Sequence, residues 1–292
     1  MHVRRAAPLA LAAITLIWGY NWVVMKQVAP LVSPLDFSAI RTLLGAATLF
    51  AVMLVRRQSL RPVGGRQVLL LGLLQTAAFT LLIQWALVAG SAGRTAVLVY
   101  TMPFWLVPLS TWLLGERIGA GRLVAVAVAA AGLLLILSPW AATGSTLSNG
   151  LALLASLSWA LATVLAKRMR QQHDLDLLAM TAWQMLFGAL ALGVVALLVP
   201  SAPIRATPYF FGALAFNALF ATGLAWLLWL YVLRHLPASL AGLASLGIPA
   251  VGVLAGWLEL GERPTPSESA GMALIIVSLA LLSISALRGR QR

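Results

Sequence analysis

Ten stretches of about twenty apolar residues follow one another along this chain, each long enough to cross about 30 Å of hydrocarbon as an α-helix. They run approximately over 8–28, 35–55, 67–89, 94–114, 122–138, 149–167, 178–199, 208–233, 238–258 and 266–286. Of the 292 residues, 61% are hydrophobic and 9% charged. A water-soluble chain carries about 25% charged residues, so the solvent for this one is lipid, and intrinsic disorder is excluded with it. The expected fold is an all-α polytopic membrane protein. Prolines and charges punctuate it: Pro30 and Pro34 after the first stretch, Arg56 to Arg66 after the second, and Pro200, Pro203 and Pro208 before the eighth. Arg4 and Arg5 precede the first run as in a signal peptide, but the run is too long and no small-residue cleavage site follows Trp18-Gly19-Tyr20-Asn21-Trp22. It is expected to remain as the first span.

The net charge of +13, from 20 Lys+Arg against 7 Asp+Glu, acquires its meaning from placement. With the amino terminus inside, Lys26, Arg41, Arg94, Arg205 and Arg263 fall on the outer side and the other fifteen cations on the cytoplasmic side. That division follows the positive-inside rule and predicts both termini in the cytoplasm, with the bilayer and not nucleic acid as the partner of the charge.

The two halves repeat. Pro103 is followed twelve residues later by Gly115-Glu116-Arg117, and Pro249 by Gly261-Glu262-Arg263 at the same spacing. Trp85 matches Tyr231 at the same offset of 146, and Trp18 with Lys26 matches Trp159 with Lys167, eight apart in each case. Five spans per half is an odd number, so the second copy enters from the opposite side. The expected units are residues 1–139 and 140–292, two inverted five-helix repeats. Inverted repeats are the architecture of secondary transporters, with the solute near the bilayer midplane between the halves.

The Trp18-to-Lys26 stretch, Arg41 at the start of span two, and the two Pro-x11-Gly-Glu-Arg blocks resemble a duplicated EamA domain. That is the ten-helix branch of the drug/metabolite transporter superfamily, and the likeness covers residues 8–287. Within it the chain is most similar to the YddG-type exporters of aromatic amino acids and drugs. The resemblance implies a multi-pass bacterial inner-membrane exporter with a cavity lined by spans one, three, four, six, eight and nine.

Polar groups inside hydrocarbon are costly, so their positions are informative. All seven acids lie at span ends or in loops, leaving no carboxylate at mid-membrane to carry protons. Trp18, Asn21, Trp22 and Met25 share one face of span one at i, i+3, i+4 and i+7. Span three offers Thr76, Phe79, Thr80 and Gln84; span four, Tyr100, Thr101 and Trp105; span six, Ser156, Ser158, Trp159 and Thr163; span eight, Asn217, Thr222 and Trp226; span nine, Ser245. The expected solute-binding set is Trp18, Asn21, Trp22, Phe79, Thr80, Gln84, Tyr100, Thr101, Trp159, Thr163 and Trp226. Aromatic faces and neutral hydrogen-bonding groups suit a zwitterionic or cationic solute with an apolar side chain. Ser156, Ser158 and Ser245 are expected to serve helix packing, and Trp140, Trp183 and Trp257 the interfacial belt. Pro103 and Pro249, inside spans four and nine, read as kinks or paired hinges. Lys26 and Lys167 read as snorkelling cations or gates at opposite faces, with Glu116 and Glu262 as their partners or as helix caps.

Cys is absent and the three histidines lie at a terminus or beside loops, so no catalytic residue, metal or cofactor is expected. The function these readings point to is export of aromatic or other apolar amino acids and related small metabolites by alternating access, as a monomer or an oligomer of unspecified size. The alternative is a multidrug, cation or lipid-linked-metabolite exporter on the same fold. A membrane-embedded transferase ranks below both, because its chemistry needs paired carboxylates or metal ligands within the spans.

Overall fold

The structure, a computed structural model, describes residues 2–115, 120–137, 145–172, 175–235 and 247–288. Glu116, Trp140, Ser245, the boundary between the expected repeats and the first part of span nine lie outside the described residues. The described chain is helical throughout, with no strand. The helices are α1 (His2–Val28), α2 (Pro34–Val55), α3 (Gly65–Leu71), α4 (Phe79–Ala89), α5 (Ala92–Val99), α6 (Met102–Leu114) and α7 (Ala120–Leu137), then α8 (Thr146–Gln172), α9 (Leu177–Leu198), α10 (Pro208–Ala215), α11 (Ala225–His235), α12 (Gly247–Leu260) and α13 (Pro266–Arg288). Two π-helical segments, π1 (Gly72–Ala78) and π2 (Phe216–Leu224), join α3 to α4 and α10 to α11. Seven runs are long and apolar enough to cross a membrane: Leu9–Val28, Pro34–Val55, Gly65–Ala89, Ala92–Leu113, Thr146–Met169, Leu177–Leu198 and Pro208–Val232. Leu123–Leu135 and Gly247–Leu260 are shorter apolar helices. The chain is therefore a polytopic membrane protein.

Helices dominate because the backbone in lipid must satisfy its own hydrogen bonds. Their ends carry the chemistry this requires. Ser33 accepts from the Asp36 amide at 3.0 Å ahead of Pro34, Asp176 from Ala179 at 2.9 Å, and Thr207 from Phe210 at 3.2 Å ahead of Pro208. Thr265 and Glu268 form a reciprocal capping box, Glu268 N to Thr265 Oγ1 at 3.2 Å and Thr265 N to Glu268 Oε2 at 2.8 Å. The repeated Gly-Glu-Arg blocks gain a physical reason. Gly115 and Gly261 both adopt φ +67°, the left-handed conformation that ends α6 and α12 and that side chains disfavour.

Span four is not one kinked helix. It breaks at Tyr100–Thr101 between α5 and α6, and Pro103 is the second residue of α6, where a missing N–H removes no helical bond. The proline inside a helix is Pro108. In the other half, buried Pro249 is the third residue of α12, again in the first turn of the described helix. A lost helical bond at Pro103 is therefore not what the structure displays.

Packing brings α2 against α9 and π2, α9 against α2 and π1, α8 against α4 and α6, α1 against α11 and α12, and α7 against α13. Small residues permit the closest approaches. A Cβ on Gly45 of α2 would lie 2.3 Å from Thr222 Cγ2 of π2, and one on Gly188 of α9 would lie 2.4 Å from Thr76 Cβ of π1. These two contacts join positions that correspond along the sequence: Gly45 to Gly188, and Thr76 to Thr222. Gly45→Leu is expected to destabilise the protein by about 1–3 kcal/mol through overpacking. Gly212→Leu, where an added Cβ meets open space, is expected to leave the melting temperature in detergent nearly unchanged.

Candidate functional site

Two aromatic groups form at corresponding places. Trp159 of α8 packs against Phe79 of α4 at a ring-centroid distance of 5.2 Å and against Tyr100 at 5.7 Å. Trp18 of α1 packs against Trp226 and Trp229 of α11 at 5.9 and 6.0 Å. Trp18 corresponds to Trp159, and α11 to α4 with Trp226 one position past the counterpart of Phe79, so each pair joins a helix of one half to a helix of the other. Five aromatic members of the expected binding set are thus found in these two ring groups, and Trp22 packs in the same core as Phe79, Tyr100 and Trp159.

The π segments, also at corresponding positions, anchor these groups. Trp18 Nε1 donates to the Ala221 carbonyl of π2 at 2.8 Å, and Ser158 Oγ donates to the Leu74 carbonyl of π1 at 2.8 Å. A π turn displaces carbonyls from the regular ladder, and here side chains from the opposite half take them up.

Two buried amides lie on the same helices as these rings, Asn21 on α1 with Trp18 and Gln84 on α4 with Phe79. Asn21 is 6% exposed and its Oδ1 has no hydrogen-bond partner. Gln84 is fully buried; its Nε2 donates to the Met25 carbonyl at 3.1 Å while Oε1 is unpartnered. An unsatisfied buried acceptor costs about 1–3 kcal/mol, so two of them on facing helices define a place for a donor. Trp22 is buried beside Gly252, where a Cβ would stand 3.1 Å from its ring. Thr80 is buried in the same region. Thr101 is satisfied within the protein, by the Leu98 carbonyl at 2.6 Å and Ser156 Oγ at 3.0 Å. Thr163 donates to the Trp159 carbonyl at 2.8 Å, one turn back on its own helix. Those two hydroxyls are spent on the fold. Ser156 and Ser158 do link helices, as the sequence suggested. Trp257 is half-exposed, whereas Trp183 packs against Phe50 and Phe187 at 5.2 and 5.5 Å.

One end of the bundle is fastened by polar contacts between residues of the two halves. Both oxygens of Glu262 accept from the first amides of α5, Ala92 at 2.9 Å and Gly93 at 3.2 Å. Glu262 is thus a helix cap, stabilised by the positive end of the dipole. Arg94 pairs with Glu268 at 2.6 Å, with side-chain exposures of 7% and 13%. Tyr20 donates to Glu259 at 3.1 Å, Tyr209 to Gln27 at 2.5 Å, and Ser148 to the Ala86 carbonyl at 2.8 Å. Lys26 is at this end too, but donates to the Leu87 and Gly90 carbonyls, both at 2.5 Å, and so closes the end of α4 in its own half. Lys167 is exposed. A cavity of about 360 Å³ opens at the fastened end, lined by Gly90, Arg94, Ser148, Asn149, Glu262 and Glu268 among others. Among the described residues no cluster of His, Asp or Glu has the geometry to hold a metal.

This geometry has relatives. The sequence matches the EamA-like transporter family twice, over residues 5–138 and 146–284. The chain belongs to the EamA-like transporter family. It is 31% identical over 273 residues to the "Uncharacterized transporter YoaV" of Bacillus subtilis, covering 91% of this chain and 93% of that protein. It is 28% identical to the "Uncharacterized inner membrane transporter YedA" of Escherichia coli K12, over 97% and 93%, and 24% identical to "Protein PecM" of Dickeya dadantii, over 94% and 92%. A solved crystal structure superposes with a TM-score of 0.71 at 18% identity, covering 97% of each chain, which places the two in one fold. This EamA-family member is thus a membrane transporter, and the paired contacts lie between the two matched segments.

The buried Arg94–Glu268 pair allows a direct test of the fastened end. Arg94→Met and Glu268→Gln are each expected to lower the melting temperature. The double variant should lose less than the sum, with a coupling of about 0.5–3 kcal/mol. Additive losses would show that the pair does not hold the two segments together.

Proposed function

We propose that this EamA-family transporter exports amino acids with aromatic or other apolar side chains across a bacterial inner membrane. Its two matched segments act as inverted five-helix halves that alternate access to a midplane site. The observation that carries the reading is the doubled contact set, in which Trp18 with Trp226 and Ala221, and Trp159 with Phe79, join opposite segments through corresponding helices. Such a set supports two halves that rock about one site. The aromatic faces offer stacking to an apolar side chain. The free oxygens of Asn21 and Gln84 offer hydrogen bonds to an ammonium group.

The excess of cations on the loops assigned to the cytoplasm supports termini on that side. The fastened end then faces outward and is closed in this conformation, and the solute enters from the cytoplasm. Pro103 stands at a helix start, where its half can pivot without breaking a helical ladder, and Pro249 of α12 is the matching proline of the other half. Lys26 sets the end of α4 at the outer gate, and Lys167 stands on the opposite side.

Purified protein in liposomes preloaded with an amino acid should take up labelled aromatic or aliphatic amino acid by counterflow. Asn21→Ala and Trp159→Ala are each expected to reduce that uptake about tenfold or more while inserting normally, as loss of a charge-assisted bond or an aromatic contact would. Absence of counterflow with every amino acid, or full rates in both variants, would overturn the reading.

A further inference from the structure

Arg41 lies seven residues inside α2, about 10 Å from its first residue at 1.5 Å per residue. The sequence counted it among the outer-side cations, but its partners are in the bundle. Its Nη1 donates to Asn217 Oδ1 at 3.1 Å, and its guanidinium stands 5.9 Å from the Phe37 ring. Asn217 is fully buried in π2, and its own Nδ2 is spent on the Ala213 carbonyl at 3.0 Å. Three contacts between α1 and the span containing π2 give the depth: Trp18 meets Ala221, Tyr20 meets Phe216, and Gln27 meets Tyr209. The strands of contact run in opposite directions, so Asn21 falls at the level of Asn217 and therefore of Arg41.

No carboxylate answers this cation among the described residues. Arg41 Nε and Ser38 Oγ, one helical turn apart on α2, are both buried without a hydrogen-bond partner, and Ser38 is fully buried. A cation held within a transmembrane bundle without a counter-charge is expensive. Packing does not require it. The correspondence that carries Gly45 to Gly188 carries Arg41 to Gln184 of α9, which is 2% exposed and neutral. The same place in the second half is thus filled by an uncharged amide.

We propose that Arg41 and Ser38, with Asn217 holding the guanidinium in place, bind an oxyanion, and that this oxyanion is the carboxylate of the transported solute. The proposal rests on the exporter reading above and deepens it. At one level of the bundle, unpartnered donors (Arg41 Nε, Ser38 Oγ) and an unpartnered acceptor (Asn21 Oδ1) match the two ends of a zwitterion. Anchoring of one Nη by Asn217 leaves the Nε edge, the side from which a planar guanidinium grips a carboxylate. That edge is covered in this conformation, so the carboxylate reaches it once the bundle opens.

The test uses purified full-length protein in phosphatidylcholine nanodiscs, with melting followed in the presence of indole-3-acetate, tryptamine or L-tryptophan. The expected result is stabilisation by indole-3-acetate and L-tryptophan, with apparent affinity for both weakened about tenfold or more in Arg41→Gln. Arg41→Lys should recover part of the loss and Ser38→Ala should lose part, while the tryptamine response is unchanged. No shift of the wild-type protein by either carboxylate, or equal loss of the acid and the amine responses in Arg41→Gln, would overturn the proposal. So would an Arg41→Gln effect on melting that appears only when phosphatidylglycerol is added, which would make the occupant a lipid phosphate. If Arg41→Gln does not fold, Arg41→Lys and Ser38→Ala against the same ligands decide between these outcomes. Carboxylate binding lost in Arg41→Gln with no amino-acid counterflow in liposomes would sustain the anion site and sink the exporter reading.

Discussion

Hydrocarbon supplies no hydrogen bonds, and a chain that crosses it many times must answer for each polar atom from within. Regular helices do this for most of the backbone. Where a helix is interrupted, a side chain from elsewhere completes the bonding. Trp18 and Ser158 take the carbonyls of the two π segments, Lys26 takes those at the end of α4, and Glu262 takes the amides at the start of α5. Most of these repairs run between the two matched segments. The same bonds that make the interruptions tolerable therefore also hold the halves in register.

Against that background, four of the buried polar atoms without partners, Asn21 Oδ1, Gln84 Oε1, Arg41 Nε and Ser38 Oγ, lie on α1, α4 and α2, and Asn21 and Arg41 share a level. The adjoining walls are aromatic, with Trp159 held between Phe79 and Tyr100 on one side and Trp18 beside Trp226 on the other. A transporter must bind its solute without holding it permanently, and polar groups that lack a partner in the empty bundle suit that role. Once the solute leaves, their cost returns.

The sequence made some of this legible and hid the rest for physical reasons. Apolar length alone located the helices, because span length is set by the bilayer and not by neighbouring residues. Pro34 and Pro208 marked helix starts through local chemistry that any sequence shows, whereas the caps from Ser33 and Thr207 and the helix-ending role of Gly115 and Gly261 became visible only in the structure. The pairing of Trp18 with Trp159 by offset foreshadowed the paired aromatic groups. The π segments left no trace, since an extra residue in a helical turn is stabilised by the partner helix and not by a residue type. Pro103 drew attention to span four, but the break at Tyr100–Thr101 precedes it, so the proline begins a helix instead of bending one. Thr101 and Thr163 read as solute contacts because a hydroxyl carries no label for its partner; tertiary and same-helix bonds consume both. Arg41 read as an outer-side charge because its partner, Asn217, is 176 positions away.

The central claim is that the solute meets these unpartnered groups while the two segments rock, so that the fastened end opens as the other closes. The chain has no cysteine, which permits spin labels at chosen pairs. Electron–electron distances between labels at Ser91 and Thr265, both lining the cavity at the fastened end, and between labels at exposed Ser59 and Gln171 on the other side, report both faces. Addition of L-tryptophan to the protein in nanodiscs is predicted to lengthen the first distance and shorten the second. Distances that stay fixed at both ends, or that change in the same direction, would contradict the account.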